Sequence, residues 1–233
     1  MTYDGDLHYD RYPVENGEEW MMRIGAADGP PILFLPPLFE EMNRTRWLVA
    51  EIMRNLAGGG YSCWLPDLPG TGESERRLDE CSWDDWRRAA ERAAAFVTEA
   101  AGRVPLVAGL RGGCLFDDAI ADACHWRFAP VPGSSLERDL TRSSLIAPAE
   151  QVGEIMDLAG YAVPQHLLAA LREAVPHSVL QLRTVRLESD RADADEKVAG
   201  PALWRRSEPG TSPELADFLA ADIGLWSRQC ASF

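Results

Sequence analysis

Apolar and polar positions change rhythm several times along the chain, and each change predicts an element. From Leu7 to Val14 and from Trp20 to Ile24 they alternate, the period-two mark of half-buried strands, and Asn16-Gly17 between them is a hairpin-turn pair. Pro31-Ile32-Leu33-Phe34-Leu35 is continuously apolar and stops at Pro36-Pro37, as a strand covered on both faces does. The period then lengthens. Trp47, Leu48, Ile52, Met53 and Leu56 share one side of a helix over Arg46–Leu56, which Gly58-Gly59-Gly60 ends. An apolar strand over Tyr61–Asp67 leaves into Leu68–Ser74. Ser82 suits the N-cap of a helix from Trp83 to about Ala101, with Asp84 and Asp85 in its first turn. Val104–Gly109 reads as a short buried strand despite Pro105, and Gly112–Phe116 opens a helix to about Ala123.

Strands alternating with helices are βαβ units. They predict the α/β class: a mostly parallel sheet with helices on both faces, here preceded by an antiparallel hairpin. After His125–Val131 the rhythm breaks. Leu136–Ile146 and Pro164–Val175 read as helices joined by a linker, strands resume at Val179–Leu187 and Val198–Trp204, and Pro213 to about Arg228 forms the last helix. Residues 1–131 and 177–233 are therefore expected to form one core, and 132–176 a small helical cap over the C-terminal edge of the sheet, where α/β folds place ligands.

Composition narrows the function. The chain has 233 residues, a size for one core with a small insertion, and its 23 basic against 37 acidic residues give a net charge of −14. That excludes nucleic acid as a general partner. No run approaches the roughly 18 apolar residues of a membrane span, and the polar N-terminal stretch is not a signal peptide, so a cytoplasmic protein is expected. The five cysteines show neither CxxC nor zinc spacing, and read as indifferent thiols in a reducing compartment. No metal or cofactor is expected. Only Lys197 is lysine among the 23 basic residues, and the four histidines (His8, His125, His166, His177) all precede the last two strands.

The chemistry should sit at Gly109-Leu110-Arg111-Gly112-Gly113. A strand running through such a turn into a helix is the setting of a nucleophile elbow, G-x-S-x-G, whose central residue is strained and exposed at the sheet edge. Here the central residue is Arg111. A guanidinium stays protonated and cannot be the nucleophile; it can form a buried ion pair, bind an anion or stabilise developing charge. Its best partners lie in Pro36–Arg44, where Glu40 and Glu41 either begin a helix with favourable dipole charge or turn inward to Arg111, and Asn43 adds an amide. A triad base would follow the last strand, but after Trp204 come Arg205-Arg206-Ser207-Glu208 and no histidine. His125 is the one weak candidate, while His166, His177 and Cys114 read as structural.

Four stretches resemble one group within the α/β-hydrolase superfamily, the exosortase A system-associated hydrolases, type 2. They are Pro36-Pro37-Leu38-Phe39-Glu40-Glu41-Met42-Asn43-Arg44, Gly109-Leu110-Arg111-Gly112, Asp157-Leu158-Ala159-Gly160-Tyr161, and Gly200-Pro201-Ala202-Leu203-Trp204 with Glu208. Asp67–Ser74 is similar to the D-x-P-G-x-G-x-S turn of hydrolases, with Thr71 where histidine is common. The resemblance implies an α/β-hydrolase fold and a link to bacterial exopolysaccharide and protein-sorting gene clusters, in a group that is also similar in having Gly-Leu-Arg at the elbow.

Three readings follow. In the first, no triad forms and the cleft binds a small, anionic ligand or a partner over Arg111, Glu40, Glu41, Asn43 and Glu208. In the second, an ester, thioester or peptide bond is hydrolysed by water activated by a carboxylate such as Glu41, with Arg111 stabilising the oxyanion. In the third, the chain is an interaction module, a homodimer through the cap or the last helix, motivated by Trp226 and Phe233.

Overall fold

The computed structural model describes residues 7–144 and 151–231. Strands β1 (Leu7–Val14) and β2 (Gly17–Ile24) form the expected hairpin, turning at Glu15-Asn16, one residue before the predicted pair. Then follow β3 (Pro31–Leu35), α1 (Glu40–Gly58), β4 (Ser62–Pro66), α2 (Trp83–Ala101), β5 (Leu106–Leu110) and β6 (His125–Phe128). The chain leaves the sheet through α3 (Gly133–Ser144), three short antiparallel strands β7 (Gln151–Val152), β8 (Ile155–Leu158) and β9 (Tyr161–Pro164), and α4 (Gln165–Glu173). It returns as β10 (Leu182–Leu187) and β11 (Glu196–Val198) and ends in α5 (Pro213–Cys230).

The main sheet has eight strands in the order β1-β2-β4-β3-β5-β6-β10-β11, parallel from β4 to β11, with the hairpin antiparallel at one edge. Period two sorts its side chains. Leu33 and Leu35 of β3 pack with α2 and α4, whereas Ile32 and Phe34 pack with α1 and α5, so two cores flank one sheet. The helix α2 begins as predicted, in a capping box: the Ser82 hydroxyl accepts from the Asp85 N–H at 3.1 Å, and the Asp85 carboxylate accepts from the Ser82 N–H at 2.8 Å.

Several expected elements differ, each for a local reason. Helix α1 starts at Glu40, six residues early, because the two acids occupy its first turn; Trp47, placed in its apolar stripe, is 56% exposed. No α-helix runs over 112–123. Two 3-10 turns, Arg111–Leu115 and Asp117–Ala119, are broken at Phe116 (φ −138°). Glycines at 112 and 113 weaken any helix there, and Asp117 is drawn inward by a bidentate pair with Arg127 at 2.7 and 2.8 Å. The expected linker between the cap helices contains β7–β9, and the predicted Val198–Trp204 strand is β11 followed by a 3-10 turn at Leu203–Arg205. Leu145 and Ile146, the end of a predicted helix, lie outside the described residues, as does Phe233.

Two of the cysteines are not indifferent thiols. Cys124, at the entry to β6, and Cys230, at the end of α5, form a disulfide with Cα atoms 6.3 Å apart, while Cys63, Cys81 and Cys114 are free and buried. The pairing joins residues 106 positions apart, a separation that sequence spacing does not reveal.

Candidate functional site

Strands β3, β5 and β6 end side by side, and the chain leaves each by a strained step. Phe39 (φ 55°), Arg111 (φ 51°) and Ala129 (φ 47°) are three of the four non-glycine residues with positive φ among the described residues. Such conformations each cost on the order of 1–3 kcal/mol and persist only where their surroundings impose them. At the β5 turn a further constraint is packing: a Cβ on Gly113 would overlap the Leu35 carbonyl oxygen, so only glycine admits this approach of the turn to β3.

All three strained residues serve one guanidinium. Phe39 precedes α1 and delivers Glu41 inward; Arg111 Nε donates to Glu41 Oε2 at 3.1 Å and Nη2 to Oε1 at 2.6 Å. Arg111 Nη1 donates to the Ala129 carbonyl at 3.3 Å, and its carbon stands 4.4 Å from the Trp204 ring centroid. Arg111 is 9% exposed and Glu41 6%. Each guanidinium nitrogen therefore has an internal acceptor, and one face has an aromatic ring. Burial pushes the Glu41 carboxyl above the usual range, and the Arg111 charge pulls it back only in part.

Beside this clamp opens a cleft of about 950 Å³, lined by residues that follow the C-terminal ends of β3, β5, β6, β10 and β11 and by α3. Its floor is apolar, with Leu38, Val131, Leu136, Leu140 and Leu187. Its walls are cationic: Arg44, Arg138, Arg142, Arg186, Arg191 and Arg205. With Arg111 that makes seven arginines against four carboxylates (Glu40, Glu41, Asp139, Asp190) among the described lining residues, in a chain of net charge −14. Arg186 holds Asp190 at 2.7 Å, Arg142 lies 3.4 Å from Asp139, and Arg44 donates to the Trp204 carbonyl at 3.0 Å.

Of the residues singled out in the sequence, Arg111, Glu40 and Glu41 meet at the cleft. Glu41 does both things expected of the acidic pair, beginning α1 and turning to Arg111. Asn43 is exposed outside the lining and donates to Glu40 Oε1 at 3.4 Å and to the Tyr161 hydroxyl at 3.2 Å, tying α1 to β9. Glu208 is exposed in the loop before α5 and does not line the cleft. His125 begins β6, in register with Val107 near the start of β5 rather than with the elbow; it is fully buried, 3.9 Å from Asp117, and burial lowers its pKa. His166 is exposed on α4 beside the Cys81 carbonyl, and His177 is exposed, so no histidine lines the cleft. Cys114 is buried and its thiol is pushed well up by desolvation. The arginine walls carried no sequence signal: their members come from five separate segments and are unremarkable in a chain with 22 arginines.

Three solved structures share this architecture. Est1E from Butyrivibrio proteoclasticus, solved with ferulic acid bound, superposes with a TM-score of 0.66 at 10% identity, over 96% of this chain and 100% of that one. A hyperthermophilic esterase from the archaeon Pyrobaculum calidifontis gives 0.59 at 12% identity, over 95% and 85%. The fold is the α/β-hydrolase fold. It also carries other chemistry, since the bottromycin epimerase BotH, solved with bottromycin A2, gives 0.53 at 15% identity over 92% and 99%. No family model matches the sequence, and no curated protein does.

Arg111 thus stands at the corner between β5 and the 3-10 turn that follows it, with positive φ, and Glu41 reaches it from the first turn of α1. Among the described residues no cluster of His, Cys, Asp and Glu is placed to hold a metal, and no helix is long and apolar enough to cross a membrane.

Proposed function

We propose that this α/β-hydrolase-fold protein lacks a Ser-His-Asp triad and uses its cleft to bind a small anionic ligand, with the elbow closed by the Arg111–Glu41 clamp. The observation that carries the reading is the internal use of all three guanidinium nitrogens at the elbow. A nucleophile and its base need to share a hydrogen bond; here the elbow side chain is a cation and its partner is a carboxylate. The surplus of arginines on the walls then gives the ligand its sign. The likeness to exosortase A system-associated hydrolases, type 2, is compatible with this reading, because it includes the arginine at the elbow.

Incubation with a serine-directed fluorophosphonate, read by intact mass, tests it: no adduct is expected, and stoichiometric labelling of one serine overturns it. One observation favours the second reading, hydrolysis by carboxylate-activated water, namely the raised pKa of Glu41, which makes it a stronger base. Turnover of an ester and thioester panel, abolished by Glu41→Gln, would establish that reading; we expect none. The homodimer reading loses one of its motives, since the Trp226 indole donates inward to the His125 carbonyl at 2.9 Å.

A further inference from the structure

We infer that the ligand is a diphosphate monoester: a compact head with two to three negative charges on an uncharged organic body. The inference rests on the anion-binding reading above and adds the chemistry of the occupant.

The charge count sets the head. Three of the four lining carboxylates already face an arginine: Glu41 faces Arg111, Asp190 faces Arg186 and Asp139 faces Arg142. The side chains of Arg138 from α3, Arg191 from the segment after β10 and Arg205 from the turn after β11 make no ion pair or hydrogen bond among the described residues, and all three are exposed. Arg186 adds a buried Nε without a hydrogen-bond partner. The lining thus holds three more cations than anions. A monoanion leaves most of that surplus unmet, whereas a terminal phosphate of charge about −2 with a second ionised phosphoryl meets it with one group.

The floor sets the body. Leu38, Val131, Leu136, Leu140 and Leu187 offer no charge to a ligand, and a cleft of about 950 Å³ is far larger than inorganic pyrophosphate. Sites for drug-sized ligands run to about 1,000 Å³ and are mostly apolar with a few placed polar groups. A polycarboxylate without a body would satisfy the walls and leave the floor wet.

Calorimetric titration of the full chain tests this with uridine diphosphate and geranyl diphosphate, against uridine, geraniol, inorganic pyrophosphate and citrate. At least one diphosphate monoester is expected to bind, at least about tenfold tighter than its uncharged parent, pyrophosphate and citrate, and more weakly as salt rises. The R138Q/R191Q/R205Q variant, altered only at exposed side chains, should keep its melting temperature and lose about tenfold or more of that affinity. The R54Q/R103Q variant, altered at exposed arginines outside the cleft, should bind as the parent does. Which ester binds tells a polar from an apolar body. Binding that survives the triple change, or diphosphates no tighter than their parents, overturns the inference. If citrate binds and depends on the three arginines while both diphosphates fail, the diphosphate assignment falls and the anion-binding reading stands. If no anion binds, both fall.

Discussion

Removing Glu41 should damage the protein more than removing Arg111, although the two share one ion pair. In Glu41→Ala the guanidinium stays charged at a site 9% exposed, left with the Ala129 carbonyl and the Trp204 ring. Orphaning one member of a buried pair costs about 3–5 kcal/mol. At roughly 2 °C per kcal/mol for a chain of this length, the melting temperature should fall by about 6–10 °C. Arg111→Ala differs because a carboxyl can take up a proton and a guanidinium cannot give one up. Burial already raises the Glu41 pKa, and deleting Arg111 removes the main opposing influence, so it rises further. A folded-state pKa above the unfolded value gives stability that is full below the unfolded pKa and lost as pH rises through the folded one. The Arg111→Ala loss should therefore be smaller near pH 5 than near pH 8, whereas the Glu41→Ala loss, which removes a carboxyl already raised in the folded parent, should run the other way and be larger near pH 5. The double variant should lose no more than Glu41→Ala alone, a coupling of about 1–3 kcal/mol in a double-mutant cycle. Thermal melts of the four proteins at both pH values decide it. Additive losses, or an Arg111→Ala loss no greater at pH 8 than at pH 5, would refute the buried clamp.

Three further outcomes are expected. Arg111→Ser restores the elbow consensus, yet esterase activity should stay at background because no histidine lines the cleft; turnover above background means that a base has been overlooked. Glu19 is buried, with Oε1 accepting from the Ser74 hydroxyl at 2.9 Å and Oε2 without a partner, and burial raises its pKa. Its stabilising protonated form is lost as pH rises, so the melting temperature of Glu19→Gln should gain on that of the parent between about pH 4 and pH 7.5; a constant gap would contradict this. Alkylation after unfolding without reductant should modify three cysteines, and Cys230→Ser should lower stability by about 2–5 kcal/mol; five modified thiols would remove the Cys124–Cys230 bond from the account.

Much of the frame was legible because it follows from periodicity. The hairpin, the continuous strand Pro31–Leu35, the Ser82 N-cap and the sheet class all rest on local patterns with one physical solution. The elbow was legible through its glycines, and Arg111 through its contrast with the expected serine. Glu41 could be nominated but not chosen over Glu40, since which acid turns inward depends on the Phe39 backbone. Long-range pairings were illegible: Asp117 capturing Arg127 replaced a helix with two 3-10 turns, and Cys124 found Cys230 across the fold. Asn43 and Glu208 looked like site residues because they lie beside motif positions, yet their side chains do not line the cleft. The arginine walls come from distant segments, and only the fold assembles them.

The central claim is that Arg111 closes the elbow from within while the surrounding arginines meet the ligand. Arginine Nε–H resonances in a 15N-labelled sample, assigned through Arg111→Ala, report both halves at once. The account predicts an Arg111 signal protected from exchange and unmoved when a binding diphosphate is added, while the signals of Arg138, Arg191 and Arg205 shift. An Arg111 signal that exchanges freely with water, or that shifts on ligand addition while those three stay still, would contradict it.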